Sequence, residues 1–155
     1  MMELIVVSQP DYFNGEAALI NQFFAEGLPL LHLRKPVNDL EKFGNLLMDI
    51  DACFHSRIAI HQHHELAQAF SLKRLHFTEQ TFKSVSAVEL ARLKHQGCFL
   101  SRSIHDTFEI PQLTDLNYVL FGPVFNSISK SGYDSVLTDD FKLQPHQTPV
   151  YGIGG

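Results

Sequence analysis

The repeating unit that decides the fold is visible in Leu30-Leu-His-Leu-Arg34 and the residues that follow it. This short apolar run predicts a buried β-strand, and Pro36 ends it. Asp39 can then cap a helix whose apolar residues between Leu40 and Leu47 share one face. A strand followed by a helix, repeated about every 25 residues along the chain, is typical of a parallel sheet with crossover helices.

Seven segments carry the strand pattern: Leu4–Ser8, Leu30–Arg34, Arg57–His61, Arg74–Thr78, Cys98–Ser103, Tyr118–Phe125 and Val150–Gly154. Helical spacing lies between them at residues 16–25, 39–47, 64–70 and 86–95, with a weaker helix or turn at 106–113. No G-x-G-x-x-G motif follows the first strand, which disfavours a dinucleotide-binding fold. The pattern predicts an α/β fold.

A (β/α)8 TIM barrel fits this order of elements best. Such a barrel has eight strands and typically about 250 residues, so the 155 residues here predict a barrel truncated after strand seven. The even spacing predicts a single barrel domain over residues 1–155, incomplete at its C-terminus. An open, flavodoxin-like sheet is the alternative fold.

The composition excludes several classes of protein. With 45% hydrophobic and 19% charged residues, the chain is typical of one globular domain. A net charge of -5 disfavours nucleic-acid partners, which require a basic surface. Cys53 and Cys98 lack metal-ligand spacing, and the N-terminus resembles neither a signal peptide nor a membrane span. We therefore expect a cytoplasmic protein with no membrane partner.

Hydroxyls, a lysine and glycines follow the last two predicted strands, at the edge where parallel sheets bind ligands. Ser127, Ser129 and Lys130 follow one strand, and Gly154 and Gly155 end the other. Hydroxyls and bare backbone amides donate hydrogen bonds to an oxyanion, and lysine adds positive charge. A polar loop and a tight turn would explain each signal separately, but together they favour a phosphate site.

The histidines form a second cluster at the same predicted edge. His61-Gln-His-His64 follows the third strand, while His32 and His76 lie on its two neighbours. Three interpretations remain open: a zinc or iron site, hydrogen bonding or acid/base work on an aromatic ligand, and purely structural roles. Only Glu65 and Glu79 supply carboxylates nearby, so we predict no metal ligands here.

Six segments, in order and spacing, resemble the thiamine-phosphate synthase family and especially its TenI-type thiazole tautomerases: residues 31–35, 58–67, 75–77, 101–105, 117–125 and 149–155. The resemblance implies a (β/α)8 barrel in thiamine biosynthesis. It implies hydroxyethylthiazole phosphate as the small-molecule ligand, and in the synthases also hydroxymethylpyrimidine diphosphate. Barrels of this family often pair, so the resemblance also allows a homodimer.

The resemblance also implies roles for individual residues. Those matching the family's phosphate contacts are Arg34, Ser103 and Lys130 at the diphosphate, Ser127 and Ser129 where the family has threonines near the thiazole phosphate, and Gly154 and Gly155 in the backbone cradle. His32, His61 and His76 match positions that face the aromatic ligand, the first two replacing amides.

The sequence departs from the family at the residues that hold magnesium. The two metal-binding aspartates of the family fall at Gln62 and Thr81, and its second diphosphate lysine falls at Pro36. Because Mg2+ is normally held by carboxylates, we expect this cofactor only if synthase activity is retained. Tautomerase-type proton transfer needs no metal and is therefore favoured.

The catalytic histidine of the tautomerases matches Pro123 here. His61 or His76 is therefore predicted to act as the catalytic acid or base in its place. Three alternatives remain open: a Mg2+-dependent thiamine-phosphate pyrophosphorylase, a non-catalytic protein that binds a phosphorylated ligand, and a histidine-metal hydrolase.

Overall fold

The computed structural model describes residues 4–126, 135, 137, 141–143 and 145–154. The chain divides into two compact units, Met1–His76 and Phe77–Gly155. No helix among the described residues has the length and apolar character needed to cross a membrane.

The first unit contains four parallel strands and their crossovers, except that Phe77, the last residue of the fourth strand, begins the second unit. Its elements are β1 (Ile5–Val7), α1 (Glu16–Ala25), β2 (Leu30–Leu33), α2 (Leu40–Asp49), a 3-10 helix (Ala52–Arg57), β3 (Ile58–Ile60), a second 3-10 helix (His64–Leu66) and β4 (Arg74–Phe77). Each strand pairs with the next one along the chain, since Val6 is opposite Leu31, which is opposite Ile58, and Ile60 is opposite Leu75.

The second unit repeats the same arrangement. Its elements are α3 (Glu79–Ser84), α4 (Ala87–His95), β5 (Phe99–Ile104), a 3-10 helix (Thr107–Gln112), β6 (Tyr118–Phe121) and β7 (Val150–Gly152). The three strands are parallel, with Ser103 opposite Leu120, which is in turn opposite Tyr151.

Strand order decides between the two predicted folds. In a flavodoxin-like sheet β1 lies between β2 and β3, whereas here β2 lies between β1 and β3. Sequential pairing of parallel strands is the order of a (β/α)8 barrel. The described residues carry seven of its eight strands. The predicted α/β fold of a truncated TIM barrel is therefore confirmed.

Strand alternation separates an apolar face from a polar one in the first unit. Leu31 and Leu33 of β2 and Ile60 of β3 are fully buried, as are Phe43 and Leu47 of α2. Because successive side chains of a strand point to opposite faces, the residues between these leucines point the other way. That polar face carries the histidines.

Candidate functional site

Three histidines meet on the polar face of the first unit. His32 is in β2, His61 directly follows β3, and His76 is in β4. The rings of His61 and His76 stack with their centroids 4.0 Å apart. The ring of His32 lies edge-on to both, and its Nδ1 is 2.9 Å from Nε2 of His61. Arg34, one residue beyond β2, is close enough to influence His61 electrostatically.

Burial keeps these imidazoles neutral. It lowers the pKa of His32 to about 3, with the positive charge of Arg74 adding to the effect. Burial also lowers the pKa of His61 and of His76 well below the usual value, and the neighbouring histidines add to it. A neutral imidazole offers one donor and one acceptor, but a nitrogen with so low a pKa is a weak base near pH 7. The cluster therefore suits hydrogen bonding to a neutral ring better than proton transfer.

The same three rings are close enough to be considered as a metal site. One nitrogen from each lies within 4.8 Å of the others. Tetrahedral zinc with bonds of about 2.0–2.1 Å requires nitrogen separations of about 3.3 Å, so the rings would have to shift from these positions. The positive charges of Arg34 and Arg74 oppose a bound cation. In this geometry the cluster is a poor metal site.

A buried ion pair fixes the loop that follows β1. Lys35 is fully buried, and its Nζ donates to Oε1 of Glu16 at 2.5 Å and to the carbonyls of Gln9 and Asp11 at 3.0 and 2.9 Å. Its ammonium lies 4.8 Å from the centre of the Tyr12 ring. The sequence does not predict this ion pair, because a lysine after a strand is usually solvated. Lys35 thus holds the β1–α1 loop against the end of β2.

In the second unit, backbone pairing continues past β6 and β7. Val124 donates its amide to the carbonyl of Ile153, and Ile153 donates to Phe121, both at 2.8 Å. A Cβ on Gly122 would lie 2.3 Å from the Ile153 oxygen. Gly154 has φ +116°, and a Cβ on it would lie 2.9 Å from Cα of Pro123. Both glycines are therefore required where the two strand ends meet.

The end of β5 adds polar groups in the same unit. Ser103 is half-buried in β5, and its neighbour Arg102 forms an ion pair with Glu109 at 2.6 Å. His105 follows the strand, is exposed, and has its Nδ1 2.5 Å from the carbonyl oxygen of Gly122. The sequence gives no signal of this partner, because the bond joins residues from two strand ends.

The family model for thiamine monophosphate synthase matches residues 3–155. The chain belongs to the thiamine monophosphate synthase family. Among solved structures it is similar to the thiamine phosphate pyrophosphorylase from Bacteroides thetaiotaomicron, with 31% identity and a TM-score of 0.66 over 79% of this chain. It spans 59% of that protein's length. The search of curated proteins returned no match. The resemblance to the thiamine-phosphate synthase family is confirmed.

The family implies Mg2+, and the donor atoms of this member do not fit it. Oε1 of Gln62 accepts the backbone amide of Lys35 at 2.8 Å. Oγ1 of Thr81 is 2.9 Å from Oγ1 of Thr78, in the first turn of α3. Mg2+ is normally anchored by carboxylates, and neither residue supplies one.

The predicted site residues of this family member fall in both units. His32, Arg34, His61 and His76 lie in the first unit, and Ser103 and Gly154 lie in the second. Ser127, Ser129, Lys130 and Gly155 lie outside the described residues. Their contacts with a ligand, and a catalytic role for His61 or His76, stay predictions.

Proposed function

We propose that this member of the thiamine monophosphate synthase family binds hydroxyethylthiazole phosphate at the ends of β6 and β7. The observation that carries this proposal is the junction of Gly122 and Gly154 with the opposite strand. Glycine at both positions lets the ends of β6 and β7 pack closely against each other, and backbone amides at such strand ends can donate to a phosphate oxygen. The sequence that follows β6 leads directly to Ser127, Ser129 and Lys130, which add hydroxyl donors and a cation.

We further propose proton transfer on the thiazole, of the tautomerase type, as the chemistry. Condensation with a pyrimidine diphosphate must expel diphosphate, a leaving group that Mg2+ normally stabilises. Gln62 and Thr81 fall where the family binds that metal, and neither is a carboxylate. Moving a proton within one bound molecule requires only an acid/base group and a positioned ring. The pyrophosphorylase activity named for the structural neighbour is the second candidate, supported by 31% identity.

Thermal unfolding in the presence of hydroxyethylthiazole phosphate tests the binding step. A ligand at 100 times its Kd stabilises the folded state by about 2.7 kcal/mol. The matched control ligand is the thiazole alcohol without phosphate, and the matched variants are Lys130→Met and the exposed Lys142→Met. We expect stabilisation by the phosphate alone, lost in Lys130→Met and kept in Lys142→Met. Equal stabilisation by the alcohol would refute the phosphate site.

Turnover separates the candidate functions. We expect aromatisation of the carboxythiazole phosphate isomer at a rate that does not depend on Mg2+. Condensation with hydroxymethylpyrimidine diphosphate that requires Mg2+ would instead establish the synthase. Phosphate-dependent binding with neither reaction would leave a non-catalytic binding protein.

A further inference from the structure

The register of β5 and β6 brings His105 next to the end of β6, where the phosphate is proposed to bind. We refer to the ends of β6 and β7 as the proposed phosphate edge. Ile104, the last residue of β5, is opposite Phe121, the last residue of β6. The next residues, His105 and Gly122, are joined by the 2.5 Å contact between Nδ1 and the carbonyl oxygen. Ile104 is fully buried and His105 is exposed. A ring exposed to solvent is therefore held in place at the strand ends.

The carbonyl partner decides which tautomer is present. A carbonyl oxygen only accepts hydrogen bonds, so Nδ1 must carry the hydrogen. In the neutral ring Nε2 is then unprotonated and has a lone pair for a proton. In many acid/base sites a hydrogen-bond acceptor holds the N–H of one ring nitrogen, and the other ring nitrogen then acts as the base.

The same backbone junction holds both His105 and the proposed phosphate edge. Gly122, whose oxygen orients His105, is also the residue whose Cα packs against Ile153. Gly154, which follows Ile153, packs against Pro123. The imidazole is therefore attached to the strand end at which the phosphorylated ring is proposed to bind.

The charged groups around His105 are paired with other partners. Glu79 of α3 is within electrostatic reach of His105, but its carboxylate pairs with Lys83 at 2.6 Å. Arg102 of β5 pairs with Glu109. The carboxylate of Asp106 accepts the amide of Phe108 at 2.9 Å. Each of these groups thus has a hydrogen-bonding partner other than the imidazole.

We propose that Nε2 of His105 exchanges the proton with the ring bound at the ends of β6 and β7. This inference rests on the proposed function. Nε2 takes a proton from one carbon of the non-aromatic thiazole isomer as the electron pair of that C–H bond enters the ring. The imidazolium then returns the proton to another carbon of the same molecule, which becomes aromatic. Atoms and charge balance without an oxidant, a reductant or a metal.

The test compares two variants of His105 with one control. His105→Asn keeps a side-chain N–H donor near Gly122 but has no basic nitrogen. His105→Gly leaves room for added imidazole. His95→Asn changes an exposed histidine at the end of α4. We expect kcat for aromatisation to fall by about 100-fold or more in both His105 variants, imidazole to restore it in His105→Gly, and His95→Asn to match the wild type.

Binding is measured beside turnover, because it separates this inference from the proposed function. We expect thermal stabilisation by hydroxyethylthiazole phosphate to be unchanged in His105→Asn. Full turnover in His105→Asn would overturn the role of His105 and leave the proposed function intact. Loss of both binding and turnover in His105→Asn, with no rescue by imidazole in His105→Gly, would show that His105 has a structural role. That result would also overturn the proposed proton transfer by His105. A wild type without aromatisation would overturn this role and the proposed proton transfer, whereas the proposed binding is decided by the thermal stabilisation alone.

Discussion

At the scale of single residues, burial changes what a side chain does. Lys35 stands between an arginine and a proline, where the sequence suggests a solvated cation. In the folded chain it is fully buried, and all three donors of its ammonium are used by Glu16, Gln9 and Asp11. A buried charge is tolerated only with such partners, because leaving water costs several kcal/mol.

Removing one partner of this pair should destabilise the protein strongly. Glu16→Gln leaves the Lys35 charge buried without a counter-charge, so we expect the free energy of unfolding to fall by about 3–5 kcal/mol. Urea unfolding measures this loss. The matched control is Glu41→Gln, an exposed glutamate in the first turn of the next helix, with an expected change below about 0.5 kcal/mol.

The double variant Glu16→Gln/Lys35→Met checks the physical reason. Because it removes the unpaired charge as well, we expect it to recover much of the lost stability. A double variant as unstable as Glu16→Gln would show that packing, rather than charge, dominates at this position.

At the scale of elements, tertiary contacts shorten one predicted helix. Residues 64–70 carry helical spacing, but only His64–Leu66 form a 3-10 turn. The imidazole Nε2 of His64 lies 3.1 Å from the carbonyl of Ile60 and 3.2 Å from that of His76. These contacts pin the start of the segment to two strands. A helix of so few residues has little stability of its own, so the contacts prevail.

The sequence pattern does not predict helix α3. Residues Glu79–Ser84 form α3, in which the side chain of Thr78 accepts the amide of Thr81. Six residues are too few to show a clear apolar period. By contrast, Ser86 caps α4 where the sequence predicts that helix to begin. Long periodic elements are predictable, and one-turn elements depend on their neighbours.

Alanine substitutions at two glycines should change the free energy of unfolding in opposite directions. Gly122→Ala would place Cβ against the backbone of Ile153 at the junction of β6 and β7, so we expect a loss of about 1–3 kcal/mol. Gly44 lies inside α2 with open space around its Cβ position, so Gly44→Ala should stabilise the protein by up to about 1 kcal/mol. Thermal or urea unfolding measures both changes, and a neutral Gly122→Ala would contradict the tight junction.

At the scale of the whole molecule, the buried histidines make stability depend on pH. The pKa of His32 falls from 6.5 to about 3 on folding, and those of His61 and His76 also fall well below 6.5. As the pH falls below 6.5, these imidazoles become protonated in the unfolded chain but stay neutral in the folded chain. The free energy of unfolding is therefore highest above pH 6.5 and decreases below it, by up to about 1.4 kcal/mol per pH unit for each histidine.

Urea unfolding between pH 7.5 and pH 5 measures this dependence above the range in which carboxylates titrate. We expect His32→Gln to reduce the slope by the share of one histidine, whatever its effect on stability at pH 7.5. The exposed His95→Gln should leave the slope unchanged. A wild-type slope near zero below pH 6.5 would contradict the burial of these rings.

The sequence by itself determined the order of the strands and of the longer helices, the family, and the strand ends that carry polar residues. These follow from local patterns: apolar period, caps and breakers, and side-chain alternation. Only the tertiary structure decided that β2 lies between β1 and β3, that the rings of His32, His61 and His76 pack on each other and stay neutral, that Lys35 is buried on Glu16, and that Gly122 orients His105. Each of these depends on burial or on a contact between residues distant in sequence, and no local pattern contains that information.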